Sequence, residues 1–318
     1  MGRLDRPASP VNPMNRTTSA VVLSYERPAM LRASLESLQA QSPPLDEMIV
    51  VNNPGPRSPE IDDVLASFPS CRMIRPSENL GFTGGMNLGL RAASGHWVYF
   101  TEDDMITRPG CLSALRECME RHPDTGLAAP VMFRRGTHEI HSAGCRLHLG
   151  SVFRQEGLGR ETWQTAVAQG TVEIDFAGGS ALFAERQRIL DCGGFHPDFF
   201  MYYEDAELAL RLKRFGFKVR LSGHAAVEHF DPPPSAFDPG LEFHKMKNLV
   251  ALYALHGQPH VWPIFFLRYA LIQPLRIFRE HPRRARTMWR AWARQLSRLP
   301  ASFALERESW PPLPHRAS

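Results

Sequence analysis

Cysteine is scarce in this chain of 318 residues. The five that occur (Cys71, Cys111, Cys118, Cys145 and Cys192) are odd in number, scattered, and form no Cys-x-x-Cys pair. That argues against a disulfide framework and suits a reducing compartment. Strong charge of one sign is also missing. The formal net charge is only +4, which by itself does not argue for a nucleic-acid partner. Long apolar runs are absent too. Val261-Trp-Pro-Ile-Phe-Phe-Leu267 is strongly apolar, but Arg268, Gln273, Pro274 and Arg276 interrupt it, short of the ~20 residues a membrane span needs. Residues 1–18 are rich in Pro, Asn and Arg without an apolar stretch, so no secretory signal is expected there. Arg6 stands where a myristoylation signal carries Ser or Thr. The segment is expected to be a disordered leader. No internal repeat is visible.

What is present is ordinary for a soluble globular protein: 43% hydrophobic and 22% charged residues. The length suits one large α/β domain with an appendage, or two modest domains. From Ser19 onward, short apolar runs alternate with helical periods. Ala20-Val-Val-Leu23, Met48-Ile-Val-Val51, Arg72-Met-Ile74 and Trp97-Val-Tyr-Phe100 read as strands. Between them, helices are expected from Pro28 through Leu38, over 61–68, and over 84–93. Strand–helix alternation at this spacing predicts a mostly parallel sheet flanked by helices, with ligands beyond the carboxyl ends of its strands. Residues 140–153 alternate like antiparallel strands, and 204–215 read as a helix stopped by Gly216.

The loop after the fourth strand carries three successive carboxylates, Glu102-Asp-Asp104. Such acids repel one another unless a cation or hydrogen-bond donor lies among them. On extended backbone, residues i and i+2 point the same way, so Glu102 and Asp104 could grip one hard divalent ion, with Mg²⁺ or Mn²⁺ suiting oxygen ligands. The same segment also reads as a solvated turn or a helix cap. A second acidic site, Glu204-Asp205, follows the aromatic run Phe199-Phe-Met-Tyr-Tyr203 at a helix start. Helix capping explains acids there, but the aromatic shield would raise a carboxylate toward the range of a useful base. His229 ends a short apolar stretch before Asp231-Pro-Pro-Pro234.

In this order the pieces resemble the family 2 glycosyltransferases, which have the GT-A fold. The resemblance rests on Val22-Leu-Ser-Tyr-Glu-Arg-Pro28, Ile49-Val-Val-Asn-Asn53, Glu78-Asn-Leu-Gly-Phe-Thr-Gly-Gly-Met-Asn-Leu-Gly-Leu90 and Phe100-Thr-Glu-Asp-Asp104. It continues through Phe176-Ala-Gly-Gly-Ser-Ala-Leu-Phe183, Gly193-Gly-Phe195 and Tyr203-Glu-Asp-Ala-Glu-Leu208 with Arg211 and Gly216. It spans about residues 19–256 and is nearest to the bacterial rhamnosyl and galactofuranosyl transferases. The resemblance implies an inverting, metal-dependent transfer from a nucleotide-diphosphate sugar to a hydroxyl of a saccharide or lipid-linked saccharide.

It also implies roles for individual residues. Tyr25, Arg27 and Asn52 would line the nucleobase and ribose pocket, with Asn79, Gly81, Gly84 and Asn87 approaching the nucleotide. Glu102 and Asp104, completed by His229, would hold Mg²⁺ or Mn²⁺. Asp205 would be the general base with Glu204 beside it, and Gly178 and Gly179 would shape the sugar pocket. Glu102 replaces the usual Asp, which leaves open whether Glu102 or the donor-side Asp103 is the first ligand. Asn52 replaces an Asp that often reads a pyrimidine, which leaves the nucleobase open.

Two further features compete for attention. His138, His141, Cys145 and His148 have a spacing that could hold zinc, or belong to a glycine-bent hairpin. In the basic tail, residues 257–318, Trp289, Trp292, Leu296 and Leu299 line one helical face and Arg286, Arg290, Arg294 and Arg298 another. That pattern suits an anionic membrane surface, packing on the preceding domain, or a homodimer interface. No nucleic-acid motif accompanies the charge. The expected location is the cytoplasm, or the inner face of the cell membrane. Rival readings are a nucleotidyltransferase of similar fold and a non-catalytic nucleotide-sugar-binding relative.

Overall fold

Buried strands and amphipathic helices alternate through the first hundred residues and build the parallel half of a sheet. In order they are β1 (Thr18–Ser24), α1 (Pro28–Gln39), β2 (Glu47–Asn52), α2 (Ser58–Ala66), β3 (Cys71–Ile74), α3 (Gly81–Ala92) and β4 (Trp97–Glu102). The computed structural model describes residues 16–150, 153–230, 238–278 and 281–297. Most of the expected leader, Asp231-Pro-Pro-Pro234, and Arg298 and Leu299 of the tail lie outside them.

The chain continues with β5 (Met105–Thr107), α4 (Cys111–Arg121), β6 (Thr125–Arg134), β7 (Ile140–Ser142), β8 (Cys145–Leu149), β9 (Phe153–Gly157), α5 (Arg160–Gln169), β10 (Thr171–Ile174), β11 (Ala181–Glu185) and α6 (Arg186–Asp191). Then follow α7 (Glu204–Arg214), β12 (Lys218–His229), α8 (Pro239–His256), α9 (Trp262–Phe266), a π-helical turn (Leu267–Ile272), α10 (Gln273–Phe278) and α11 (Pro282–Leu296).

Among the described residues a 10-stranded sheet runs β10-β12-β6-β11-β4-β1-β2-β3, with β5 added to β12 and β7 to β6. Strands β4, β1, β2 and β3 are parallel, whereas β11 runs antiparallel to β4. β8 and β9 form a separate hairpin. The sheet is mixed, with the expected parallel core on one side.

Helix α3 sits unusually close to β1. A Cβ on Gly85 would lie 2.3 Å from the Leu23 side chain, and one on Gly89 would lie 2.2 Å from that of Val21. Residues four apart share a helix face, so these two glycines form the seam through which α3 approaches the strand. The helix starts at Gly81 rather than the expected 84. Gly81 takes a left-handed backbone (φ +66), and its N–H donates to the Asn79 side chain at 2.8 Å, which turns the chain into the helix early.

In the tail, α11 takes the packing alternative among its expected readings. Trp289 and Trp292 do not form an open apolar face on α11. Trp292 is 3% exposed within a cluster that includes Phe265, Tyr269, Val250 and Tyr253, and the Tyr253 and Phe265 rings stack at 3.8 Å. The apolar side of α11 packs on α8 and on the segment before it, where burial takes both apolar surfaces out of water. Arg286, Arg290 and Arg294 are on the exposed side, as the helical spacing requires.

Gly89→Ala should push α3 off Val21. Overpacking of this kind costs about 1–3 kcal/mol, measurable as a lower denaturant midpoint with unchanged m-value. A variant as stable as the parent would show that α3 does not pack on β1 in this way.

Candidate active site

Strand order reverses beside β1: β2 and β3 lie on one side and β4 on the other. In open α/β sheets the crevice at such a switch point, beyond the strands' carboxyl ends, is where ligands bind. Leu23 stands opposite Glu102 across the two strands, so the chain leaving β1 meets the three carboxylates leaving β4.

Asp103 is fully buried and engaged by β1: it accepts from the Ser24 hydroxyl at 3.0 Å and the Tyr25 N–H at 2.9 Å. Arg27 bridges its neighbours, pairing with Asp103 at 2.7 Å and with Asp104. A guanidinium therefore stands among the acids, as their mutual repulsion demands.

Asp104 meets His229. The last residues of β12 pair with β5, His229 opposite Met105, and the Phe230 N–H donates to the Asp104 carbonyl at 3.0 Å. That pairing brings His229 Nε2 to 3.6 Å from Asp104 Oδ2. Burial pushes the Asp104 carboxyl up, but His229 and Arg27 outweigh it and hold it below the ordinary range.

Glu102 is the last residue of β4, so strand alternation does not extend to Asp104, and the expected parallel aim of the two side chains does not follow. Glu102 instead accepts from the Ser180 hydroxyl at 2.7 Å. Burial and the nearby Asp104 raise its pKa.

Glu102 opens onto a cavity of about 480 Å³ shared with Gly178, Gly179, Ser180, Tyr202, Glu204, Asp205 and Lys245. The two acids of α7 enter it because of the turn before the helix, where Phe200, Tyr202 and Tyr203 all have positive φ (60, 71 and 66°). Non-glycine residues rarely adopt that conformation, and surrounding structure must hold it. Asn248 of α8 does so: its buried amide donates to the carbonyls of Phe199, Met201 and Tyr202 at 2.6, 2.7 and 2.7 Å. Lys247 donates to the Asp198 carbonyl just upstream.

Asp205 accepts from the Gly179 N–H at 3.2 Å and the Ala206 N–H at 2.6 Å. Burial lifts its carboxyl to about 6 against those two donors. Glu204, buried beside it, is pushed well above the ordinary range by burial and by the charge of Asp205. Gly179 leaves room for a ring, since its Cβ would lie 2.8 Å from Phe82. A Cβ on Gly178 would meet nothing within 4 Å.

The structure thus brings together Tyr25, Arg27, Glu102, Asp103, Asp104 and His229 at the switch point, with Gly178, Gly179, Glu204 and Asp205 at the adjoining cavity. Other expected donor residues have local partners. Asn87 accepts from the Phe195 N–H at 2.8 Å and donates to the Phe195 carbonyl at 2.7 Å, so its amide is committed to the protein. Asn79 caps the start of α3, and a Cβ on Gly84 would press within 2.6 Å of Leu80. Asn52 is buried at the end of β2, opposite Ser24. Ser180, Lys245 and Asn248 went unread in the sequence. Ser180 lies inside the Phe176–Phe183 motif, and Asn248 is a polar residue within an apolar helical run.

Asp104 and His229 offer one carboxylate and one imidazole. Asp104 Oδ1 is buried without a hydrogen-bond partner, which fits a divalent cation that takes its remaining ligands from substrate phosphates. Among the described residues no three His, Cys, Asp or Glu side chains form a ready metal cage. The zinc quartet is not assembled either. The His141 ring lies 5.2 Å from that of His229, Cys145 accepts from Gln155 at 3.5 Å, and His148 Nε2 is 3.9 Å from Glu156.

Residues 19–172 match the family model described as glycosyl transferase family 2. The N-acetylglucosaminyl-diphospho-decaprenol L-rhamnosyltransferase of Mycobacterium tuberculosis is 25% identical over 272 residues, covering 77% of this chain and 86% of the relative. Galactofuranosyltransferase GlfT1 of the same organism is 32% identical over 114 residues, 34% of this chain and 38% of that protein. Among solved structures, GalNAc-T7 with UDP, GalNAc and Mn²⁺ superposes at TM-score 0.66 and 14% identity, over 91% of this chain and 59% of that one. The mannosyltransferase PcManGT of Pyrobaculum calidifontis with GDP-Man and Mn²⁺ gives TM-score 0.55 at 16% identity, over 91% and 77%. Both likenesses concern the fold, which is GT-A.

Asn248→Ala removes the donor that holds three carbonyls of the left-handed turn. Stranding buried polar groups costs about 1–3 kcal/mol each, so urea unfolding should show a loss of that order. An unchanged unfolding curve would mean the turn is held by something else.

Proposed function

For a chain that carries a glycosyl transferase family 2 domain over residues 19–172, we propose an inverting, metal-dependent transfer of a sugar from a nucleotide-diphosphate donor to a hydroxyl of a saccharide on a lipid carrier. The observation that carries this reading is the Asp205 carboxylate, lifted by burial and aimed into a cavity that adjoins the carboxylate cluster at the switch point. The lipid-linked acceptor is proposed by analogy with the rhamnosyltransferase relative, whose name specifies a diphospho-decaprenol substrate.

In this reading the donor's diphosphate lies at the carboxyl ends of β1 and β4, with Tyr25 and Arg27 beside it and Asp104 and His229 as the residues that would hold Mg²⁺ or Mn²⁺. When bound, the metal stabilises the negative charge that develops on the departing diphosphate oxygen. The sugar occupies the space beside Gly178 and Gly179. An acceptor hydroxyl enters the 480 Å³ cavity, and Asp205 takes its proton. The hydroxyl oxygen bonds to the anomeric carbon on the face away from the diphosphate, the bond to the diphosphate oxygen breaks, and the nucleoside diphosphate leaves. Configuration at the anomeric carbon inverts.

Burial and the charge of Asp205 push Glu204 well above the ordinary range, which favours its protonated form beside the base. Glu102 and Ser180 line the same cavity and orient the incoming groups. The site faces the cytoplasm in this proposal, at the inner face of the membrane. The free cysteines suit a reducing compartment, and among the described residues no helix is long and apolar enough to cross a membrane.

Asp205→Asn should lower kcat by about 10²–10⁴-fold, the usual worth of a general base, while the Kd for the nucleotide sugar changes little. Near-normal turnover of that variant would remove Asp205 from the role. Because the base must be ionised, kcat should fall about tenfold per pH unit below about 6; a flat profile between pH 5 and 7 would contradict the assignment. Chelation should abolish turnover and Mn²⁺ restore it, and Asp104→Ala should weaken Mn²⁺ binding measured by calorimetry in the presence of nucleoside diphosphate. Indifference to chelator would exclude the metal.

A further inference from the structure

Of the eleven large hydrophobic residues that are exposed among the described residues, seven lie on the segment 262–278. Ile264, Leu267, Leu271, Leu275 and Phe278, exposed by 54, 49, 45, 56 and 39%, recur every three or four positions and so form one stripe, with Ile272 (54%) beside it. A soluble surface rarely concentrates apolar side chains in this way.

The stripe is not a loosely attached end. Its underside, Phe265 and Tyr269, is buried against α8 and α11 in the cluster that holds Trp292. Pro274 has no N–H to offer the Ala270 carbonyl four residues back, and the Trp289 indole donates to that carbonyl at 2.9 Å. The tryptophans that a helical projection would turn to lipid are thus the struts that hold another helix outward.

The stripe's segment and the helix packed beside it carry exposed arginines. Arg268 and Arg276 sit on the exposed side of the segment itself, and Arg283, Arg286, Arg290 and Arg294 are exposed on α11. Neither 262–278 nor 282–296 contains an Asp or Glu. We infer that the 262–278 stripe and its arginines are a docking face for an anionic lipid bilayer, which holds the neighbouring cavity at the membrane surface. Acyl chains receive the Leu, Ile and Phe side chains while anionic headgroups meet the arginines at the rim. A second copy of the chain is the poorer occupant. Two-fold pairing through the stripe would set Arg268 and Arg276 close to the same cations of the partner, with no carboxylate on either segment to separate them.

The docking face is coupled to the cavity by the same elements. Tyr203, which precedes Glu204 and Asp205, packs against the aromatic cluster beneath the stripe. Lys245 of α8 lines the cavity, its ammonium 4.6 Å from the Tyr202 ring centroid. The delivery of a lipid-linked acceptor to that cavity rests on the transferase reading; the docking itself does not.

The test is flotation of the full chain with vesicles of phosphatidylcholine alone or with phosphatidylglycerol, without donor or acceptor, so that loss of activity leaves the reading unaffected. Binding should be at least about tenfold stronger to the anionic vesicles and should weaken with salt. A variant combining Leu267→Asp, Leu271→Asp and Leu275→Asp changes exposed positions only. It should lose binding by about tenfold or more while keeping the parent's circular dichroism spectrum and Tm. Should it misfold, Arg268→Glu with Arg276→Glu gives the same test through the charges and should abolish the preference for anionic vesicles. Unchanged flotation of either folded variant overturns the inference. So does a parent that ignores vesicles and is dimeric by light scattering, with the triple variant monomeric, because a second copy would then cover the stripe.

Discussion

The architecture of the site follows from crowding negative charge at one end of a sheet. Glu102, Asp103 and Asp104 leave β4 together, and each must find a partner that offsets its desolvation. Asp103 takes the hydroxyl and N–H groups at the end of β1, Asp104 takes Arg27 and His229, and Glu102 takes Ser180. Three neighbouring acids are thereby sent in three directions. One braces the crevice, one meets His229 where the proposed reading puts a cation and a diphosphate, and one opens onto the cavity proposed for the acceptor. Arg27 and His229 come from opposite ends of the domain, so the cluster can form only when β1, β4, β5 and β12 are all in register.

The second half of the site depends on a strained turn. Three residues with positive φ lead into α7, and Asn248 pins the same turn through the carbonyls of Phe199, Met201 and Tyr202, while the Thr83 and Glu207 N–H groups donate to those of Phe200 and Tyr203. That conformation brings Glu204 and Asp205 to the cavity at a helix N-terminus, where burial raises both carboxyls above the ordinary range. Strain of this kind persists only where the surrounding structure holds it. Here α8 supplies the restraint on one side while carrying the aromatic cluster on the other, so the acids and the exposed stripe share a single scaffold.

Much of this was legible in the sequence because the signals were local. Apolar runs and turn residues mark β1 to β4, and the carboxylate triplet at a strand's end marks the switch point without any tertiary knowledge. What escaped depended on distant contacts. Asn248 lies more than forty residues from the turn it holds, and nothing in its helix announces that turn. Asn87 looks like a free amide until Phe195 is seen against it. Strand alternation suggested a common aim for Glu102 and Asp104, but β4 ends at Glu102 and the turn after it redirects the chain. In the tail, periodicity separated tryptophan from arginine correctly. It could not say which apolar face would meet protein, and the interrupted 262–278 segment, not α11, carries the exposed one.

In the proposed reaction Asp205 activates an acceptor hydroxyl for a single displacement at a nucleotide-activated sugar. The most direct measurement is NMR of the product formed from a nucleotide sugar of known anomeric configuration, with the released nucleotide identified alongside. A single displacement yields one glycoside of opposite configuration, formed with an equal amount of nucleoside diphosphate. Retained configuration, or release of pyrophosphate, would contradict it.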